Sequence, residues 1–416
     1  MNPFASLGLS PALVDAASER GYDTPTAIQA AAIPAVLRGS DVLASAQTGS
    51  GKTAAFALPM LQRMHGLGRA TPRRTQALVL VPTRELAAQV GEVIRALAQQ
   101  LADPVKVAIL FGGVSINPQM MGLRGGADVV VATPGRLLDL IDHNALGLAG
   151  VAMLVLDEAD RLLDAGFADE LARVLALLPQ RRQNLLFSAT FPPAVQALAQ
   201  GLLRDPIHVD VPREPSAEPA IAQHAVEVDA ARRTPLLRHL IRKGNWTRVL
   251  VFVATRYASD HVADKLRRSG IEAAAFHGDM SQGARTKALA DFKAGRLQVV
   301  IATDVAARGI DIAQLPVVVN YDLPRSAADY VHRIGRTARA GASGLAVSFI
   351  SAGTEAHFRL IEKRQGRRVV RERIEGFEPR ESTAPAVPGG GVKGKRKSKK
   401  DKLREASGGS REESQA

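Results

Sequence analysis

The feature that most limits how this chain can fold is that its second half repeats its first. "ALVLVPTRELAAQV" (77–90) has a counterpart in "VLVFVATRYASDHV" (249–262), each an apolar run followed by Thr-Arg and a helix-forming stretch. "ADVVVATPGRLLDL" (127–140) is echoed by "LQVVIATDVAARGI" (297–310), each ending its valine-rich run in Ala-Thr. Thr83 precedes Thr133 by 50 residues and Thr255 precedes Thr303 by 48, so order and spacing both match. These runs are apolar without alternation, as strands covered on both faces are, and they alternate with Ala/Leu-rich helical stretches. The spacing predicts an α/β protein of two tandem domains, each a parallel β-sheet flanked by helices. The expected domains are 1–209 and 224–376. Between them, "DVPREPSAEPAIAQ" (210–223) is Pro-rich and polar and is expected to be a linker. From 377 to 416 the chain turns Gly/Pro/Ser/Lys-rich and is expected to be disordered.

Only the first half carries a phosphate-binding signal. A strand-like "DVLASA" (41–46) leads into "AQTGSGKT" (46–53), and a helical run follows at once. Glycines let backbone N–H groups turn toward phosphate oxygens, and the helix start adds partial positive charge. In that context Lys52 would reach the β and γ phosphates and Thr53 would offer its hydroxyl to Mg²⁺. The first glycine of the general pattern is replaced by Ala46. Downstream, "MLVLDEAD" (153–160) ends a buried strand in Asp157 and Glu158. Asp157 suits the metal, held through water, and Glu158 suits polarising an attacking water. In the second half, "HLIRKGNWTRVL" (239–250) is expected to sit where the loop would be, and it has no Gly-Lys-Thr. That half instead holds "HRIGRTARAG" (332–341), with arginines at 333, 336 and 339. One domain would hold the nucleotide while the other supplies arginine fingers on closure.

In full, the motifs resemble the DEAD-box family of ATP-dependent RNA helicases over about residues 1–375. The series runs "GYDTPTAIQ" (21–29, within a Q motif over 2–30), with Phe4 seventeen residues before Gly21, then "AQTGSGKT", "PTRELA" (82–87), "GG" (112–113), "TPGR" (133–136), "DEAD" (157–160) and "SAT" (188–190). The second half adds "VFVATR" (251–256), "QGAR" (282–285), "ATDVAARGID" (302–311) and "HRIGRTAR". "DEADRLLDAGF" and the basic tail look most like the bacterial RhlE-type subgroup. Ala338 stands where many members have glycine.

The resemblance implies two RecA-like domains, ATP and Mg²⁺ as cofactors, and RNA as partner. It implies that Gln29 reads adenine, with Phe4 and Tyr22 against the base; ordinary N-terminal packing is the alternative for both rings. It implies ATP contacts from Ala46, Gln47, Thr48, Gly49, Ser50, Gly51, Lys52 and Thr53, with Asp311 at the ribose and Arg336 and Arg339 at the γ-phosphate. His332 would link the site to the interdomain contact, and Ser188, Thr190 and Asp160 would couple hydrolysis to strand separation. RNA would be held by Pro82, Thr83, Arg84, Gly113, Thr133, Gly135 and Arg136 from one domain, and by Thr255, Arg285, Thr303 and Asp304 from the other. With 4% aromatics, such a track favours phosphate and sugar over bases. Ribosomal precursors or RNA-decay machinery are the partners such an enzyme meets. An ATP-dependent DNA translocase and a non-catalytic RNA clamp are the rival readings.

Composition agrees. The chain has no cysteine, no start resembling a signal peptide and no run of the ~20 apolar residues that a membrane span needs, so a cytoplasmic protein without a membrane partner is expected. Net charge is +13, and "KGKRKSKKDKLR" (393–404) alone contributes +7. That stretch reads as a solubilising tail and as an arm drawn to phosphates by counterion release, two roles that do not exclude each other. Truncation after Pro379 is expected to weaken RNA affinity and flatten its salt dependence while leaving basal ATP hydrolysis intact. Equal affinity of both forms at low and moderate salt in a titration would make the tail a solubilising appendage.

Overall fold

The computed structural model describes residues 2–45, 49–65, 73–164, 166–210, 221–307, 315–337 and 344–380. Seven strands form the first sheet: β1 (Val42–Ser45), β2 (Ala77–Leu80), β3 (Val107–Leu110), β4 (Val129–Ala132), β5 (Met153–Leu156), β6 (Gln183–Ser188) and β7 (Ile207–Asp210). Seven more form the second: β8 (Ile221–Glu227), β9 (Val249–Val253), β10 (Ala273–Phe276), β11 (Val299–Thr303), β12 (Val317–Asn320), β13 (Gly344–Ile350) and β14 (Val370–Glu372). The strand orders are β3-β4-β2-β5-β6-β1-β7 and β10-β11-β9-β12-β13-β8-β14, which is one order written twice. Every pairing is parallel. The repeat in sequence is thus a repeat of topology, and the two lobes are tandem RecA-like domains.

The unbroken apolar runs explain the layers. In β2, Ala77 and Val79 face one hydrophobic cluster while Leu78 and Leu80 face another, so helices cover both sides of the sheet. The second sheet is covered in the same way, with Val249, Val251 and Val253 on one side and Leu250 and Phe252 on the other. Ligands of such sheets gather outside the carboxyl ends of the strands. Residues 49–53, 82–84, 133–136, 157–160 and 188–190 all follow strand ends there, as do Thr255 and Asp304 in the second lobe.

Three expectations about boundaries change. Residues 221–223 begin β8 and Asp210 ends β7, so the linker shrinks to 211–220, which lies outside the described residues. The start of β8, "IAQH", has polar Gln223 and His224 and no buried position, and so lacks the buried apolar run that marks most of the other strands. Because β8 occupies the place of β1, the counterpart of the phosphate loop is the segment after β8, "VDAARR" (228–233), and not 239–250. It has no glycine, so the second lobe has no phosphate cradle at that position. Finally, folded chain continues past 376. Phe377 lies under the Arg232 guanidinium (5.2 Å) and beside the His239 ring (5.3 Å), and the Arg380 N–H donates to Asp229 Oδ2 at 2.9 Å. Residues 381–416 lie outside the described residues.

Arg333 fixes the helix Ala327–Ile334 to its sheet. It donates to both Asp304 oxygens (2.6 and 2.6 Å), to Asn320 Oδ1 (3.0 Å) and to the Asp322 carbonyl (2.6 Å), and its guanidinium lies 4.8 Å from the Phe252 ring centre. The residue is buried. Of the three arginines in the motif this one is structural. Asp304, expected at RNA, spends its carboxylate on it. Removing the cation leaves a partly buried carboxylate unpaired, so Arg333→Met is expected to destabilise the second lobe by about 3 kcal/mol. Urea unfolding measures it, and an unchanged midpoint would contradict the structural role.

Candidate nucleotide and RNA site

The loop after β1 runs straight into the helix Lys52–His65. Gly51 has φ +93°, and a Cβ there would sit 2.5 Å from Gln29 Nε2 and 3.0 Å from Thr26 Oγ1. Only glycine fits both the left-handed backbone and the close approach. The crowding comes from the helix Ala27–Leu37. Gln29 accepts from the Thr26 N–H (2.9 Å), closing a capping box, and donates to the Gly51 carbonyl (3.1 Å). The residue expected to read adenine therefore also braces the phosphate loop.

Lys52 is buried beside Asp157 at the end of β5. Asp157 is 2% exposed. Burial pushes its carboxyl up to about 6, against the pull of the Lys52 ammonium and with a further push from Glu158. Oδ1 of Asp157 accepts from the Glu158 N–H at 2.9 Å. Glu158 has φ +53°, a conformation that a non-glycine residue adopts at a cost of order 1–3 kcal/mol and that recurs at functional sites. Asp160 begins the next link. Its N–H donates to Ser188 Oγ (3.2 Å), its Oδ2 accepts from Thr190 Oγ1 (2.6 Å), and Ser188 Oγ donates to the Thr190 carbonyl (2.7 Å). The structure thus brings Gly49 to Thr53, Gln29, Asp157, Glu158, Asp160, Ser188 and Thr190 to one edge of the first sheet.

Across the cleft, Arg161 pairs with Asp329 at 3.5 Å. Beside them a cavity of about 270 Å³ is lined by Asp160, Arg161 and Thr190 from one lobe and Ser326, Asp329 and His332 from the other. Arg336 is half-buried, and its carbonyl accepts from the Leu315 N–H at 3.1 Å. Ala46, Gln47, Thr48, Asp311 and Arg339 lie outside the described residues. Phe4 departs from expectation. It is fully buried in the first lobe's core, with no face open to a base, whereas Tyr22 is half-buried. N-terminal packing explains Phe4.

The candidate RNA residues divide by what already holds them. Thr83 caps the helix Arg84–Ala98 by accepting from the Leu86 N–H (3.2 Å), and Thr255 caps Arg256–Arg267 by accepting from the Ala258 N–H (3.1 Å). The repeat extends to these hydroxyls. Arg84 lies over Gly113, where a Cβ would fall 1.9 Å from its Nη1 and φ is +75°. Pro82, Thr133 and Thr303 are buried at strand ends, and Gly135 opens the helix Pro134–Asp142. Buried Arg136 donates from Nη2 to the Val114 carbonyl (2.8 Å), and its Nε is 3.5 Å from Asp139; neither Nε nor Nη1 has a hydrogen-bond partner. Arg285 differs from expectation. It is buried between the lobes, 3.0 Å from Glu85, with Phe276 beneath it at 4.7 Å and Gln282 donating to the same carboxylate at 3.3 Å. Burial pulls its guanidinium below the usual range, partly offset by Glu85. Glu85 and Gln282 stand inside "PTRELA" and "QGAR", yet only a contact between halves reveals them. Arg161 and Asp329 were missed for the same reason.

A carboxyl raised from 3.8 to about 6 on folding binds protons in the folded state that the unfolded state has released. Stability therefore falls as pH rises through that window. Without nucleotide or divalent ions, Asp157→Asn is expected to be more stable than wild type at pH 7, by on the order of 2–3 kcal/mol, and equal to it near pH 4. Unfolding midpoints across that range measure the difference, and a gap that does not change with pH would contradict the assignment.

Comparison with known proteins agrees with this geometry. Residues 26–198 match the DEAD/DEAH box helicase family and 232–341 the helicase conserved C-terminal domain. The ATP-dependent RNA helicase DeaD of Mycobacterium tuberculosis is 43% identical over 360 residues, covering 86% of this chain; the chain spans 63% of that relative's length. The DEAD-box ATP-dependent RNA helicase CshA of Bacillus cereus is 38% identical over 371 residues, covering 89% of this chain and 70% of the relative. The structure of S. cerevisiae Dbp5 bound to RNA and ADP BeF3 is 33% identical, with a TM-score of 0.78, covering 91% of this chain and 96% of Dbp5. With its motif edge, its doubled sheet and these relatives, the chain belongs to the DEAD-box family of ATP-dependent RNA helicases.

Proposed function

We propose that this protein is an RNA-stimulated ATPase that parts short RNA duplexes locally, without processive travel, or remodels RNA–protein assemblies. The observation that carries this reading is the cavity walled by both lobes, where Asp160 and Thr190 meet Ser326, Asp329 and His332. The first two are bonded to each other, and Asp160 lies two residues beyond Glu158 in the chain. Chemistry at that edge is thereby tied to the position of the second lobe.

In the proposed cycle Lys52 and the loop N–H groups bind the phosphates of ATP. Gln29 offers its amide to adenine, which the carboxamide can pair with in two bonds. Glu158 takes a proton from the attacking water at its carboxylate, and Arg336 with Arg339 offsets charge as the γ-phosphoryl departs. The Thr53 hydroxyl and the Asp157 carboxylate form an all-oxygen donor pair suited to Mg²⁺, Asp157 acting through water. When bound, that ion neutralises charge on the β and γ phosphates. His332 lines the interlobe cavity and transmits closure.

RNA lies along Pro82, Thr83, Arg84, Gly113, Thr133, Gly135 and Arg136 in the first lobe, and along Thr255, Thr303 and the strand ends near them in the second. Contact to phosphate and sugar makes binding largely independent of sequence. Closure bends one strand and disfavours the duplex. The lobes are 1–210 and 221–380. The setting is the cytoplasm, the substrates are ribosomal precursors or RNAs entering decay, and the subgroup is RhlE-type. Among the described residues, no helix is long and apolar enough to cross a membrane.

Lys52→Ala and Glu158→Gln are each expected to abolish RNA-stimulated ATP hydrolysis, and Arg336→Ala to lower it by on the order of 10³-fold. Phosphate release with RNA and with DNA of the same sequence checks this. Unchanged turnover in the first two variants, or equal stimulation by DNA, would contradict the assignment.

A further inference from the structure

Beside the proposed RNA track lies an aromatic patch with no part in the chemistry above. Tyr257 is 76% exposed, and it is the only aromatic among the strongly exposed large apolar side chains of the described residues. It lies in the first turn of the helix Arg256–Arg267, two residues after Thr255. One helical turn on, His261 stacks against it, with ring centroids 5.5 Å apart and planes 15° from parallel. The pair presents a flat, exposed surface at an i, i+4 spacing.

A second exposed apolar residue follows the neighbouring strand. β9 and β11 are paired in parallel, with Val253 opposite Thr303. Tyr257 follows the end of β9, and Val305 follows the end of β11 and is 71% exposed. Both thus leave neighbouring strand ends directly after Thr255 and Thr303, the two backbone positions of the proposed track. The charges nearby are already paired. Arg256 Nη1 is 2.5 and 2.6 Å from the two Asp279 oxygens, and the Asp304 carboxylate is held by Arg333. Among the described residues of these two segments, Tyr257 and Val305 are left facing solvent as apolar surface, inside a chain of net charge +13.

We infer that Tyr257, backed by His261 and flanked by Val305, is a stacking platform for one unpaired base of the RNA strand. This rests on the RNA-binding reading above and deepens it. Phosphate contacts accept paired and unpaired strands alike, whereas a base inside a duplex has both faces covered by its neighbours. A platform beside the track therefore favours the strand already separated and retards its re-pairing. Every base has a π-face, so the preference is for unpaired over paired and only weakly for one base over another.

The test compares wild type, Tyr257→Ala and Tyr257→Phe in the full chain, binding a single-stranded RNA and the same strand with abasic riboses, read by fluorescence anisotropy. Tyr257→Ala is expected to lose about 5- to 100-fold in affinity for the base-bearing strand and nothing for the abasic one. Tyr257→Phe is expected to match wild type on both. Basal ATP hydrolysis and the unfolding midpoint stay as in wild type, since the side chain is exposed. An equal loss on both strands overturns the platform, as does no loss on either, which would leave the patch to a protein partner. If wild type itself neither bound RNA nor hydrolysed ATP faster with it, the helicase reading would fail instead. RNA-stimulated wild type with an indistinguishable Tyr257→Ala sinks the platform alone.

Discussion

A lysine and a carboxylate buried side by side at the carboxyl edge of the first sheet set the terms for the whole cleft. Asp157 is held up to about 6 with the Lys52 ammonium beside it, so the cost of burying the charge exceeds what the neighbouring cation returns. Glu158 adds a left-handed backbone at the next residue. Neither feature helps the unliganded fold. Both are tolerated because β5 beneath them is buried on both faces in two hydrophobic clusters. An edge carrying unfavourable terms of this kind gains most from a ligand that brings its own charges, as a metal-bound triphosphate does.

That edge is connected outward by short, directional bonds. Asp160 lies two residues beyond Glu158, and its carboxylate and amide are taken by Thr190 and Ser188 from the end of β6. Arg161, the next residue, reaches Asp329 in the other lobe. Asp329 lies in the helix that carries His332, and its side chain accepts from Ser326 Oγ at 2.8 Å. Few links separate the carboxylates from the second lobe, so a small change at Glu158 has a defined route to lobe position. In the proposed cycle the element with two arrangements is the cleft itself, and these bonds would bias it.

Much of this was legible in the chain because the fold is written twice. Valine-rich runs marked the central strands of both sheets, and the Ala-Thr endings marked where loops leave them. The failures fall where that signal is absent. β8 begins with polar residues at half-exposed positions, so 221–223 read as linker, and the expected place of the missing second cradle, 239–250, begins eleven residues beyond the observed one at 228–233. Arg285, Asp304 and Phe4 carried motif identities, but side-chain destination depends on partners far away in sequence: Glu85, Arg333 and the N-terminal core. A motif fixes which residue is present. Whether its charge is spent inside the protein is decided by tertiary packing.

The fate of those arginines bears on how RNA is gripped. Arg84 covers Gly113, Arg285 is committed to Glu85, and Arg136 gives one nitrogen to the Val114 carbonyl while two others have no hydrogen-bond partner. Arg136 and Arg285 are buried, so these two motif arginines contribute little exposed positive charge despite the basic chain. In the proposed RNA track, affinity comes instead from backbone groups at strand ends and helix starts, which are weak singly and become strong when several are aligned. Those groups belong to both lobes, with Thr133 and Gly135 on one and Thr255 and Thr303 on the other. The observed arrangement, in which Glu85 meets Arg285 and Arg161 meets Asp329, sets both groups on one cleft. In the proposed cycle a strand that binds across them would stabilise closure, and a nucleotide that stabilises closure would raise affinity for the strand by the same factor. On that proposal, cooperation between the two ligands would follow from dividing the track, without any contact between them.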